Sequence, residues 1–218
     1  MKFFLDTANL DELKKAITWG VIDGVTTNPS LIAREGIPIH DQLRRICELI
    51  DGDVSAPVIA TQAREIAAEA RELARIHPNI VVKVPLTEEG IKAVSKLSSE
   101  GIRTNMTLCF TAPQALVAAK AGAFYVSPFF GRVEDIGASG AELIRDIATI
   151  YSNYGFKTQI LAASLRGPGH VVQAAKAGAH VATMPYRLIE SLFQHPLTEK
   201  GLEQFTRDYS AVFDLVKA

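Results

Sequence analysis

A (β/α)8 barrel with an additional C-terminal helix is the α/β fold class that this 218-residue sequence predicts. Three observations predict it. Eight short β-branched runs alternate with longer segments of helical period, the pattern of a parallel sheet with right-handed helical crossovers. The hexapeptide Ala118-Ala119-Lys120-Ala121-Gly122-Ala123 recurs as Ala174-Ala175-Lys176-Ala177-Gly178-Ala179, each copy leading from a helix into a strand. The Gly-rich turn that follows the first strand of an open doubly wound sheet is missing, and Asp6-Thr7-Ala8-Asn9 stands in its place. Eight units of about 27 residues are tight but sufficient for a barrel of this class.

In chain order, the expected strands are Lys2–Asp6, Gly24–Asn28, Val54–Ile59, Ile80–Val84, Arg103–Leu108, Phe124–Pro128, Thr158–Ala163 and His180–Met184. The clearest helices between them are Glu65–Ile76, Glu88–Leu97, Pro113–Ala121, Ala141–Tyr151 and Val171–Ala177. Thr87 before Glu88-Glu89 and Ser139 before Ala141-Glu142 supply start signals, because a hydroxyl there can accept from unpaired amides of the first turn. Gly122 and Gly178 supply stop signals. No Pro/Ser-rich linker or break in composition divides the chain, so residues 1–218 read as one domain. Beyond the eighth strand, a helix over about 198–216 carries Leu202, Phe205, Tyr209, Val212, Phe213 and Val216 at helical spacing. Such a stripe most often packs on its own barrel; a neighbouring subunit is the alternative.

Hydrophobic residues make up 48% and charged residues 22% of the chain, an ordinary globular balance. A net charge of −1 offers no electrostatic case for nucleic acid or an anionic membrane. No apolar run approaches the roughly 18 residues of a membrane span, and Asp6 interrupts the N-terminal run before a signal-length stretch develops. Cys47 and Cys109 are isolated, which fits a reducing cytoplasm, and the five histidines show no metal-ligand spacing.

Lys83 is the most informative residue. It lies in Ile80-Val81-Val82-Lys83-Val84-Pro85, an apolar run of the kind found in strands buried on both faces. Burial disfavours an ammonium and lowers its pKa, and a neutral lysine condenses with ketones to form a Schiff base. The bland reading is a strand-end lysine whose stem packs inward and whose head reaches water.

Active sites of (β/α)8 barrels lie at the C-terminal ends of the strands. Those ends hold Asp6, Thr26, Asn28, Lys83, Asn105, Thr107 and Ser127, with Arg132, Ser164 and Arg166 in the loops beyond. Singly, each has a plain structural reading: an aspartate after a strand caps helices, and Thr-Asn-Pro opens turns. Together they supply an amine to attack, a carboxylate to move protons, amides and hydroxyls to orient a polyol, and guanidiniums for an anion. Ser164-Leu165-Arg166-Gly167-Pro168-Gly169 follows strand seven, where barrels often bind phosphate at a helix start. Arg132, in the neighbouring loop, could complete a clamp.

The chain resembles the small transaldolase family, relatives of fructose-6-phosphate aldolase, over essentially its whole length. The resemblance is carried by Phe4-Leu5-Asp6-Thr7-Ala8-Asn9, Gly24-Val25-Thr26-Thr27-Asn28-Pro29-Ser30, Val81-Val82-Lys83-Val84-Pro85, Thr104-Asn105-Met106-Thr107, Tyr125-Val126-Ser127-Pro128-Phe129-Phe130-Gly131-Arg132 and Ala162-Ala163-Ser164-Leu165-Arg166. It implies a class I aldolase barrel with Lys83 as Schiff-base lysine and Asp6 as acid/base for carbon–carbon cleavage. Thr107 would help hold a proton-relaying water. Thr26, Asn28, Asn105 and Ser127 would contact the dihydroxyacetone portion, and Arg132, Ser164 and Arg166 the phosphate. The implied activity is transfer of a dihydroxyacetone unit from a ketose phosphate, fructose 6-phosphate or sedoheptulose 7-phosphate, to an aldose phosphate, as in the pentose phosphate pathway. No metal or organic cofactor is implied. Ring homo-oligomers, decamers or pentamers, are the family's usual assemblies. Phe129 stands where family transaldolases have phenylalanine and aldolases tyrosine, so it favours transfer over release of dihydroxyacetone. Pro57 departs from the pattern, replacing a glutamate or glutamine that shares the relay water with Thr107. Either a bulge lets another group reach that water, or the relay is weakened. Release of free dihydroxyacetone and a non-catalytic sugar-phosphate barrel are the competing readings.

Overall fold

The computed structural model describes the backbone of residues 1–217 and the side chains of residues 1–210. Its elements are, in order, β1 (Lys2–Asp6), α1 (Leu10–Ile17), β2 (Gly24–Thr26), α2 (Pro29–Glu35), α3 (Ile39–Leu49), β3 (Asp53–Pro57), α4 (Ala63–Ala74), β4 (Ile80–Pro85), α5 (Glu88–Ser99), β5 (Thr104–Cys109), α6 (Ala112–Lys120), β6 (Tyr125–Pro128), α7 (Phe130–Asp135), α8 (Gly140–Tyr154), β7 (Gln159–Ala162), α9 (Pro168–Ala177), β8 (Val181–Met184), α10 (Tyr186–Ser191) and α11 (Pro196–Lys217). The strands pair in parallel, each with the next, and β1 pairs with β8 to close the barrel.

All eight expected strands are present, with ends displaced by no more than two residues. The expected caps are formed: Thr87 accepts from Gly90 N, and Ser139 from Glu142 N. Gly122 and Gly178 take left-handed φ values of 85° and 99° at the ends of α6 and α9. Helices α2, α7 and α10 fell outside the clear periodic segments because six or seven residues are too few to display a helical period. The Thr-Asn-Pro sequence is a helix start: Asn28 Oδ1 accepts from Leu31 N at 2.9 Å, and Pro29 occupies the first turn, where its missing N–H costs nothing.

Alternation along the strands sorts the side chains into two layers. Outward-facing Leu5, Val25, Val54, Val82, Met106, Val126, Ile160 and Ala182 join the helices in the main core. Inward-facing Phe4, Val81, Tyr125, Leu161, Ala163 and Val181 fill the barrel as a separate cluster. Gly24 makes room for that filling, because a Cβ there would meet the Phe4 ring and Asp53 O, both at 2.6 Å. At the N-terminal end, Asp53 accepts from Tyr125 Oη (2.8 Å) and from Arg103 Nη1 (2.5 Å), so the polar groups of the floor are paired. The barrel interior is thus packed below, and a cavity opens at the C-terminal ends of the strands.

Two expectations need correction. No bulge occurs at Pro57: β3 stays in register with β4 through the pair Pro57 and Lys83. Proline is tolerated there because Ser55 O accepts from Thr27 N on one side, while Val58 N donates to Lys83 O on the other. The backbone of Pro57 therefore faces the β2 side, and β2 has already ended at Thr26. The irregular register lies instead in β5, between Met106 and Cys109, where Leu108 has a φ of 61°. The second correction concerns α11. Leu202 and Phe205 are exposed at 60% and 71%, so this part of the stripe is not packed on the barrel. Helix α10, which packs against β1, occupies the surface next to the closing strands. The side chains of Val212, Phe213 and Val216 lie outside the described residues.

Candidate active site

A cavity of about 560 Å³ opens at the C-terminal ends of the strands, lined by residues from nearly every βα loop. Of the expected site residues, Asp6, Asn28, Lys83, Thr107, Phe129, Arg132 and Ser164 line it. Thr26, Asn105 and Ser127 do not; they lie buried among the residues beneath it. Arg166 is exposed and likewise does not line the cavity.

Lys83 points inward from β4, and its Nζ donates to Thr27 O at 3.0 Å. Burial lowers its pKa from the ordinary 10.5, opposed by the negative charge of Asp6. The first effect enlarges the neutral, nucleophilic fraction; the second holds the protonated form in place beside a carboxylate. Asp6, at the end of β1, accepts from Thr26 Oγ1 at 2.7 Å. Thr26 and Thr183 hydroxyls lie 2.6 Å apart. Since the single Thr26 proton goes to the carboxylate, Thr183 is the donor to Thr26. This chain fixes one Asp6 oxygen.

A second polar chain crosses the barrel beside the first, its Ser55 in register with Thr26. Asn105 Nδ2 donates to Ser55 Oγ (2.8 Å), and Ser127 Oγ donates to Asn105 Oδ1 (2.7 Å). Asn105 is paired in register with Lys83, so this amide sits beside the lysine stem. Asn28 commits its oxygen to capping α2, which leaves its Nδ2 hydrogens as donors at the cavity wall. Thr107 Oγ1 is buried with no protein partner, a hydroxyl whose donor and acceptor capacity remains for a ligand or water.

Phe129 packs edge-on against Phe110, ring centroids 5.5 Å apart, and the Arg132 guanidinium lies over its ring at 4.9 Å. The loops after β6 and β7 are joined by Phe130 N donating to Ala163 O (2.9 Å) and Gly131 N to Ser164 O (3.1 Å). Ser164 has a left-handed φ of 61°, unusual for a non-glycine residue and costing about 1 kcal/mol or more. Arg166 forms a bidentate pair with Asp135.

Sequence reasoning missed Thr183, Ser55, Asp135 and Arg34. Thr183 was legible as the inward alternate of Val181, and Ser55 as the inward neighbour of Pro57. Asp135 falls one turn after Arg132, but α7 was not recognised as a helix. Arg34, at the cavity rim, lies on α2, which was read only as a turn.

Residues 3–216 match the family model described as Transaldolase/Fructose-6-phosphate aldolase. A probable transaldolase of Clostridium tetani is 53% identical over 212 residues, 97% of this chain and 99% of that protein. Those of Kosmotoga olearia and a Geobacillus species are each 57% identical, covering 96% of this chain and 96% and 99% of their own lengths. With a barrel of the expected topology and full-length matches of this strength, the chain belongs to the transaldolase/fructose-6-phosphate aldolase family.

Proposed function

We propose that this protein is a transaldolase that moves a dihydroxyacetone unit from a ketose phosphate to an aldose phosphate. The observation that carries this reading is Lys83, an amine in the cavity wall whose protonated form is disfavoured by burial and which lies within the field of Asp6. Neutral Lys83 Nζ adds to the ketone carbon, and loss of water from the carbinolamine leaves a protonated Schiff base. Asp6 takes the proton from the hydroxyl on the carbon beyond the breaking bond. As that bond breaks, its electrons move into the iminium, leaving an enamine on Lys83 and a free aldose phosphate. The enamine then attacks the carbonyl carbon of an acceptor, Asp6 returns the proton to the new alkoxide, and water releases the product ketose.

Asn28 Nδ2, with the Asn105 and Ser127 chain behind the lysine, orients the three-carbon unit. Arg132 and Ser164 bind the phosphate end. Phe129 favours transfer: its ring presents no hydroxyl to protonate the enamine, which therefore persists until an acceptor arrives. The same reading includes a cytoplasmic homo-oligomer, a decamer or pentamer, in which another subunit covers the exposed Leu202 and Phe205 of α11.

The test is borohydride reduction in the presence of fructose 6-phosphate, followed by mass mapping. The expected product is a secondary amine on Lys83; failure to find it there sinks the mechanism. Assay without an acceptor then separates transfer from aldol cleavage, because sustained release of dihydroxyacetone contradicts a transaldolase.

Pro57 yields a separate expectation. It lies in the cavity wall and is paired in register with Lys83, yet its ring can neither hold nor move a proton. The unpartnered Thr107 hydroxyl is on β5, across β4 from Pro57. Pro57→Glu restores a carboxylate and should raise turnover, by up to about 10²-fold. A rate that stays level or falls, measured by coupled release of the aldose phosphate, shows that another group already performs the relay.

A further inference from the structure

Asp135 ends α7 three residues after Arg132, which places the two on neighbouring parts of one helix face. Its carboxylate receives both terminal nitrogens of Arg166, Nη1 on Oδ1 and Nη2 on Oδ2. Such a fork-to-fork pair fixes the plane of a guanidinium as well as its position. It also ties α7, which carries Arg132, to the loop carrying Ser164. The Asp135 carboxyl is held below the usual carboxylate range, chiefly by the hydrogen bond from Arg166 and further by the positive charges of Arg166 and Arg132. One anion therefore lies in the field of two cations, and without it those cations would repel each other across an empty site.

We propose that Asp135 is a positioning residue for the phosphate end of the substrate, bracing Arg166 end-on so that its remaining N–H edge and Arg132 form one anion site beside Ser164. The proposal deepens the transaldolase reading and rests on it. The surrounding backbone is built for the same placement. A Cβ on Gly131 would meet Ser164 O at 2.3 Å and Arg166 Nε at 2.9 Å, so the arginine lies against bare backbone that no other residue would leave open. Next to it, His170 Nε2 and Glu134 Oε2 are 3.1 Å apart, and His170 Nδ1 accepts from Arg166 N at 3.4 Å. The backbone and the side chain of Arg166 are thus each held by a residue on α7 or α9. With Asp135 in place the two arginines and the carboxylate carry a net charge of +1. Some attraction for a phosphate dianion is given up in return for an arginine already in position.

The test compares Asp135→Asn and Asp135→Glu with the parent in the full chain. For Asp135→Asn, the KM for fructose 6-phosphate should rise about tenfold with little change in kcat, while the KM for unphosphorylated fructose stays level. Inorganic phosphate, titrated by calorimetry without any turnover, should bind about tenfold more weakly. Asp135→Glu should recover most of both losses. An unchanged or lower KM for the phosphorylated donor overturns the proposal, the lower value marking Asp135 as a competitor of phosphate. Equal loss with both donors also overturns it, since it indicates general disorder of α7. Weakened phosphate binding in Asp135→Asn supports the positioning role even if no adduct forms on Lys83, so the two readings fail separately.

Discussion

Lys83→Met should abolish the borohydride-trapped adduct and lower transfer by about 10⁴-fold or more, because among the described residues no other lysine lines the cavity. Methionine keeps the length and volume of the lysine stem, so the packing of β4 against its neighbours survives. The same change should stabilise the fold. Lys83 has a pKa lowered from 10.5 by burial, so the unfolded chain binds this proton more tightly than the folded one. Between the lowered value and 10.5 the parent gains stability as pH rises, and below that window it bears the full cost of the buried ammonium. The variant has no such dependence. Its advantage, about 1 kcal/mol or more at neutral pH, should shrink as pH climbs toward 10.5. Urea unfolding at neutral and alkaline pH measures it. A variant less stable than the parent at neutral pH would mean that Asp6 and Thr27 O more than offset the burial of the ammonium.

The barrel and its ligand-facing end were legible because two periodicities carry them. Strand-like runs recur eight times between segments of helical period, and the face of each strand follows from alternation alone, which put Asp6, Lys83, Thr107 and Phe129 on one surface. Depth was not legible. Thr26, Asn105 and Ser127 share that inward face, yet they are buried in hydrogen-bonded chains with Thr183 and Ser55 and do not line the cavity. Telling floor from wall requires the register between strands, a property of the closed sheet and not of any one segment. Loop geometry was hidden for a similar reason. The two-arginine clamp was expected from the order of the motifs; Arg132 and Ser164 line the cavity, and Arg166 stands beside Gly131, held by an Asp135 that no motif announced. Pro57 shows the opposite case. A proline in a barrel strand left a bulge as one of two alternatives, whereas β3 keeps its register with β4 and the backbone of Pro57 faces the end of β2.

Asp6→Asn separates the two halves of the chemistry. The amide can still accept from Thr26 Oγ1 through its oxygen, so the chain Thr183, Thr26 and residue 6 keeps its geometry. What is lost is a group able to take and return a proton, and transfer should fall by about 10²–10⁴-fold. Schiff-base formation responds differently. The negative charge of Asp6 raises the pKa of Lys83 against the lowering by burial. Removing it leaves burial unopposed, so the Lys83 pKa drops further and the neutral amine is present at lower pH. The pH profile for borohydride trapping with fructose 6-phosphate should therefore move to the acid side while turnover collapses. An adduct that accumulates without cleavage is the expected signature, seen by intact mass before and after addition of an acceptor. If trapping and turnover fall together, Asp6 acts in forming the Schiff base and the cleavage step must use another base. If turnover stays within a few-fold of the parent, the carboxylate serves only to position Thr26, and cleavage uses another base.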